Sequence, residues 1–85
     1  MYFAYILYSQ PFDKYYIGST SNLQNRIDRH NNGGSRYTRP FRPWALVYSE
    51  KFKTGSEAAK REKEIKRYKG GNSFKQLLSG QSHPA

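Results

Sequence analysis

"YYIGSTSNLQNRIDRHNNGG", residues 15–34, opens as a strand and closes as a helix. Tyr15, Tyr16 and Ile17 are strand formers, whereas Leu23 and Ile27 recur at helical spacing among polar residues. Between them lies Gly18-Ser19-Thr20-Ser21-Asn22, a join with no apolar residue. Gly18 is expected to close the strand, and Ser21 or Asn22 to cap the helix "LQNRIDRHN". Asn32-Gly33-Gly34 supplies the stop, because a left-handed residue after a helix favours Gly or Asn. A strand-to-helix turn needs neither the tyrosine pair nor Arg26 and His30, so these residues are candidates for a site.

Outward from this stretch, "YFAYILY" (residues 2–8) is a continuous run of apolar and aromatic strand formers, read as a central strand covered on both faces. The turn cluster "SQPFD" links it to the strand "KYYIG" (residues 14–18), and a tight antiparallel hairpin sets Tyr5 opposite Tyr16. "SRYTRPFRP" is a basic, aromatic loop broken by Pro40 and Pro43, and "WALVYSEKF" (residues 44–52) is a third strand. Thr54 and Glu57 have capping-box spacing and open a helix that ends near Tyr68. Gly70-Gly71 terminates it, and "NSFKQLLS" forms a short last helix capped by Asn72 or Ser73. The order β-β-α-β-α-α predicts an α+β fold, a small three-stranded and mainly antiparallel sheet with flanking helices. Residues 1–79 are expected to form one domain and residues 80–85 a loose tail.

Fifteen Lys and Arg against six Asp and Glu leave a formal charge of +9 on 85 residues. Self-repulsion of that size is tolerable when the partner is a polyanion, so nucleic acid, DNA first, is the expected partner. The alternatives are a solubility device and a patch facing an acidic protein. No stretch pairs a basic helix face with a broad apolar one, which argues against a membrane surface. Without cysteine there is neither a disulfide nor a thiolate metal site. With no signal peptide and no apolar run of spanning length, a cytoplasmic protein is the default expectation. Eight tyrosines carry hydroxyl groups that need partners, which puts some of the rings at a wet boundary.

At about 100° per residue, Ile27 and His30 fall close to Leu23 on the first helix and Arg26 at the edge of that stripe. Asn25, Asp28 and Arg29 point away and are read as solvated surface. A snorkelling arginine and a boundary histidine would look the same. On the second long helix, Glu62 shares a face with Ala58 and Ile65, the small and apolar residues able to pack inward. Glu57 and Glu64 instead fall one turn from Arg61 and Lys60, where surface ion pairs form. A carboxylate on a packing face is paired, protonated or bound to a cation. Either a buried pair with Arg26 or a metal ion satisfies Glu62. Two strand tyrosines, an arginine, a histidine and one inward acid in a basic domain are the groups phosphodiester hydrolysis needs.

At these residues the sequence resembles the GIY-YIG nuclease superfamily, and within it the small single-domain proteins of the YhbQ/URI-like branch. Tyr16-Ile17-Gly18 is the second half of the signature, and Phe3-Ala4-Tyr5 stands where Gly-Ile-Tyr would, with the tyrosine kept. "NLQNRIDRHN" looks like the family's Asn-Leu-x-x-Arg helix with the histidine one turn later, and "TRPFRPWALVY" and "EAAKREKEIK" resemble segments of the small branch. The resemblance implies an endonuclease that uses one Mg²⁺ or Mn²⁺ ion. In it, Tyr16 or Tyr5 would serve general-base chemistry, Arg26 would bind the scissile phosphate, and His30 would orient or relay a proton. Glu62 would hold the metal, and Gly18 would let the backbone turn tightly beside the phosphate. Ala4 departs from the signature glycine, Ser19 stands where UvrC-type repair nucleases carry lysine, and Asn72 matches a late family asparagine. Repair or processing of branched or single-stranded nucleic acid is the family-level expectation, with substrate choice broad or set by a protein partner.

Arg36, Tyr37, Arg39, Phe41 and Arg42 alternate cation with ring, a pattern suited to phosphate contacts and base stacking. Pro40, Pro43 and Trp44 could equally pack this loop onto the sheet. Lys60, Lys63 and Arg67 lie on outer helix faces and extend a sequence-independent phosphate track. Besides the endonuclease, the sequence allows a non-catalytic nucleic-acid-binding module on the same scaffold, or an adaptor for an acidic protein.

Overall fold

The computed structural model describes residues 1–69 and 71–79, so Gly70 and the expected tail at 80–85 lie outside the described residues. The elements are β1 (Tyr2–Ser9), β2 (Lys14–Thr20), α1 (Leu23–Asn31), β3 (Ala45–Phe52), α2 (Gly55–Tyr68) and α3 (Asn72–Ser79), with a short 3-10 turn at Arg39–Phe41. The sheet is antiparallel throughout in the order β2-β1-β3, which puts the most apolar strand in the middle. This is the α+β architecture expected from the element order.

Alternate residues of β1 feed separate cores on the two faces of the sheet. Ala4 and Ile6 pack with Ile17, Tyr48, Ile65 and Phe74, the side covered by α2 and α3. Tyr5 and Leu7 pack with Trp44, supported by Tyr16, Leu23, Ile27 and Leu46, the side covered by α1 and the long loop. The register of β1 against β3 shifts between Ile6 and Leu7, a bulge that leaves Val47 unpaired between Leu46 and Tyr48.

The hairpin is looser than a tight turn. Residues 10–13 form the connection, with Asp13 at φ 50° and its N–H bonded to the Gln10 carbonyl at 3.3 Å. Tyr5 therefore pairs with Gly18, and Tyr16 with Leu7, not Tyr5 with Tyr16. A slip of two residues preserves the face, so the two rings remain diagonal neighbours with centroids 6.3 Å apart. β2 also runs past Gly18 to Thr20, so that glycine lies within the strand and makes no turn.

α1 is capped by Asn22, whose side chain accepts from the Asn25 N–H at 3.0 Å, and the chain leaves it through Gly33 at φ 82°. α2 carries the complete Thr54–Glu57 capping box. Glu57 is occupied there, and Arg61 pairs with Glu64 at 2.9 Å and with Glu50 of β3 at 3.3 Å. The expected Glu57–Arg61 and Lys60–Glu64 pairs are not among the ion pairs of the described residues, because the cap and the neighbouring strand offered nearer partners. Asn72 is the first residue of α3, and the Lys75 N–H bonds the Gly71 carbonyl at 3.2 Å.

Candidate active site

Four of the five candidate catalytic side chains meet on the α1 side of β2. Tyr5 and His30 are sealed in, at 0% and 1% exposed, while Tyr16 and Arg26 are half-buried. The Tyr16 ring lies 4.7 Å from the His30 ring, centroid to centroid. Gly18 makes this packing possible. A Cβ there would sit 2.6 Å from the Tyr5 hydroxyl and 3.1 Å from the Tyr16 ring. Its missing side chain is the space that the Tyr5 phenol fills, which replaces the expectation of a sharp turn beside a phosphate.

His30 links two buried hydroxyl groups: Nδ1 lies 2.8 Å from the Thr38 hydroxyl and Nε2 3.2 Å from the Tyr5 hydroxyl. A neutral imidazole serves both, donating through one nitrogen and accepting through the other. Burial first, and then the charges of Arg26 and Arg29, lower the pKa of His30, which keeps the imidazole neutral for this role. Burial first, and then Tyr16, push the Tyr5 phenol well above the ordinary range, against the pull of the Arg26 guanidinium. Tyr5 thus stays protonated inside the wall, and Thr38, which bonds the other ring nitrogen of His30, is a buried residue for which the sequence carried no signal.

A cleft of about 450 Å³ opens in front of this wall, lined by Tyr16, Arg26, Arg29, His30 and Arg36 with the Gly34–Ser35 backbone. Tyr16 faces it and Tyr5 does not. Arg29, read from the sequence as plain surface, is exposed but points into the cleft rim, so three arginines converge on one cavity. Such a cavity is matched to a phosphodiester by charge and by the planar donor geometry of guanidinium groups.

Glu62 reaches the site from the other face of β2. Ile17 and Ser19 point toward α2, and the Ser19 hydroxyl donates to Glu62 Oε1 at 2.8 Å. The second carboxylate oxygen pairs with Lys66 Nζ, one turn on, at 2.7 Å. The expected alternative partner, Arg26, is not the one found. Lys66 stands four residues from Glu62, a spacing visible in the sequence and missed there. The acid is close enough to Tyr5 to contribute to its raised pKa, so its charge is felt across the strand.

The remaining sequence candidates separate. Arg36 and Tyr37 face cavities beside Tyr16. Arg39 and Arg42 are exposed but fold back, donating through Nε to the Gly33 carbonyl at 3.0 Å and the Arg39 carbonyl at 2.9 Å. Trp44 anchors the loop by donating from its indole to the Thr38 carbonyl at 2.9 Å, so part of the loop does pack onto the sheet. Lys60 borders a different hollow with Phe52, Glu57 and Glu64, and Lys63 and Arg67 are exposed on α2. No cluster of three or more His, Cys, Asp or Glu occurs among the described residues. No helix among them is long and apolar enough to cross a membrane.

Comparison with known proteins shows the family. A family model described as the GIY-YIG catalytic domain matches residues 1–75. The UPF0213 protein of Staphylococcus saprophyticus is 46% identical over 66 residues, which span 76% of this chain and 80% of that protein. Its counterpart in Staphylococcus epidermidis is 44% identical over the same shares. The solution NMR structure of the UPF0213 protein BH0048 from Bacillus halodurans superposes with a TM-score of 0.60 at 32% identity, covering 99% of this chain and 89% of that one. The tyrosine pair, the glycine beneath it and the arginine–histidine helix thus stand where a matching family model begins and runs on almost to the end of the chain, which belongs to the GIY-YIG nuclease family in its small UPF0213 group.

Proposed function

We propose that this protein is a metal-dependent endonuclease that hydrolyses phosphodiester bonds in DNA. The observation that carries the reading is the convergence of Arg26, Arg29 and Arg36 with Tyr16 on one cavity, with the α2 acid Glu62 bonded to Ser19 on the other face of the same edge strand. Arg26 binds the phosphate and offsets charge that develops on its oxygens. Tyr16, the phenol that reaches the cleft, orients the attacking water, and as the phenolate it would take one proton from that water and become the neutral phenol. Tyr5 and His30 are positioning residues. Their shared hydrogen bond holds the wall against which the tilted Tyr16 ring packs.

Glu62 would offer one hard oxygen donor to a divalent ion once that ion displaces Lys66 from Oε2. A lone carboxylate held by Ser19 is the donor set expected where Mg²⁺ or Mn²⁺ keeps most of its waters and takes its other ligands from a phosphate. Glu62 would hold that ion, and the ion would supply a Lewis acid to the phosphoryl oxygen. The Glu62–Lys66 pair supports a second reading, because a carboxylate already matched by an ammonium group has no need of an ion. In that case the protein is a nucleic-acid-binding module, indifferent to chelator and to substitution at Glu62.

Flaps, forks, single strands and supercoiled plasmid, each incubated with Mg²⁺ or Mn²⁺ and with or without chelator, separate the two. The endonuclease cuts at least one of these in metal alone, and the Arg26→Ala protein, still folded, does not. Binding without any metal-dependent cutting supports the binding module.

A further inference from the structure

The cleft does not end at Tyr16. A second cavity of about 240 Å³ begins on the other side of that ring and is bounded by Tyr15, Tyr37, Lys66 and Lys69. A third, of about 210 Å³, adjoins it, sharing Tyr15, Tyr37 and Lys69 and ending at Lys14. Tyr37 lines both hollows and, at 63%, is the most exposed aromatic residue among the described residues. Its centroid lies 6.3 Å from Tyr16 and 6.2 Å from Phe41, so rings continue along the groove from the arginine cavity. Lysines follow the same line. Lys69 is anchored to the Tyr15 carbonyl at 3.0 Å, and Lys14 lies 5.0 Å above the Phe41 ring.

We infer that this groove is a subsite for unpaired nucleotides adjoining the scissile phosphate, with bases stacked on Tyr37 and phosphates carried by Lys14, Lys66 and Lys69. The inference rests on the nuclease reading of the arginine cavity and names its substrate class. Exposed rings alternating with cations recognise single strands, because only an unpaired base offers its face to a side chain, whereas in a duplex each face is already stacked on its neighbours. An apolar partner would bring no counter-charge to Lys14 and Lys69, which form no ion pair with an acidic side chain among the described residues. An acidic peptide would match them but would leave the exposed ring without a planar counterpart. Asp13, at the far end, is held by the Tyr8 hydroxyl at 2.9 Å and marks where the groove stops favouring an anion.

The test is fluorescence anisotropy of the full chain with a labelled oligothymidylate and with a blunt hairpin duplex of equal charge, both in EDTA so that nothing is cut. Tyr37→Ala weakens oligothymidylate binding roughly tenfold and leaves the duplex unchanged, while Tyr37→Phe, which keeps the ring, binds like the wild type. Lys14→Ala or Lys69→Ala lowers the slope of log affinity against log salt by about one phosphate contact. Equal binding of both probes with equal or no loss in Tyr37→Ala overturns the inference. Because the assay needs no chemistry, the two readings fail separately. Tyr37-dependent binding without metal-dependent cutting would remove the nuclease and keep the groove, and cutting without a Tyr37 effect would do the reverse.

Discussion

A methyl group at residue 18 has nowhere to go, because its nearest neighbour is the hydroxyl of a rigid, fully buried phenol at 2.6 Å. Gly18→Ala should cost about 1–3 kcal/mol in urea denaturation, as overpacking does. The loss should shrink in a Tyr5→Phe background, where the clashing oxygen is gone; equal losses in both backgrounds would place the strain elsewhere. His30 gives a second prediction. Its folded-state pKa is lowered from 6.5, so as pH falls below about 6.5 the unfolded chain takes up the proton first. The stability it contributes is therefore complete above that pH and declines as pH falls toward the folded-state value, by at most about 1.4 kcal/mol per pH unit. His30→Gln should flatten the stability profile between pH 6.5 and 5, and parallel profiles would contradict the assignment. At this scale the sequence showed which residues were unusual but not what they touch. Thr38 sits eight residues from His30 across a loop, and no periodicity connects the two.

Elements were the most legible level, because their ends are written in local chemistry. Asn22, the Thr54–Glu57 box and the Gly33 exit act through near neighbours, and each appears where the spacing placed it. The hairpin register was not local in that sense. It depended on residues 10–13 forming a wider connection closed by Asp13 in a left-handed conformation, which the turn residues alone did not distinguish from a tighter loop. α2 carries both the acid and its competitor. Lys66 is 54% exposed and Glu62 21%, so their pair is an ordinary, weak one that a divalent ion must displace. Lys66→Met should therefore tighten Mn²⁺ binding about two- to fivefold, as read by loss of the free-ion electron paramagnetic resonance signal. Unchanged or weaker binding would show that the lysine does not compete for that oxygen.

Across the whole molecule, the site exists because β2 is an edge strand with useful residues on both faces. Tyr16 and Gly18 look toward α1, and Ser19 looks toward α2, so one strand joins the arginine cavity to the acid. Helix periodicity alone indicated that Glu62 leans inward. That it arrives on the opposite side of the sheet from Arg26 required the three-dimensional arrangement. The net charge of +9 announced a polyanion, but its division into a groove at β2 and scattered lysines on α2 could not be read from a count. The account stands on these two sides acting as one site. Single-turnover cleavage by Glu62→Gln at saturating Mg²⁺, on whichever DNA the wild type cuts, tests it most directly. The account predicts a rate lowered by at least about a hundredfold, with DNA affinity in EDTA unchanged. A rate within a few fold of the wild type would contradict it.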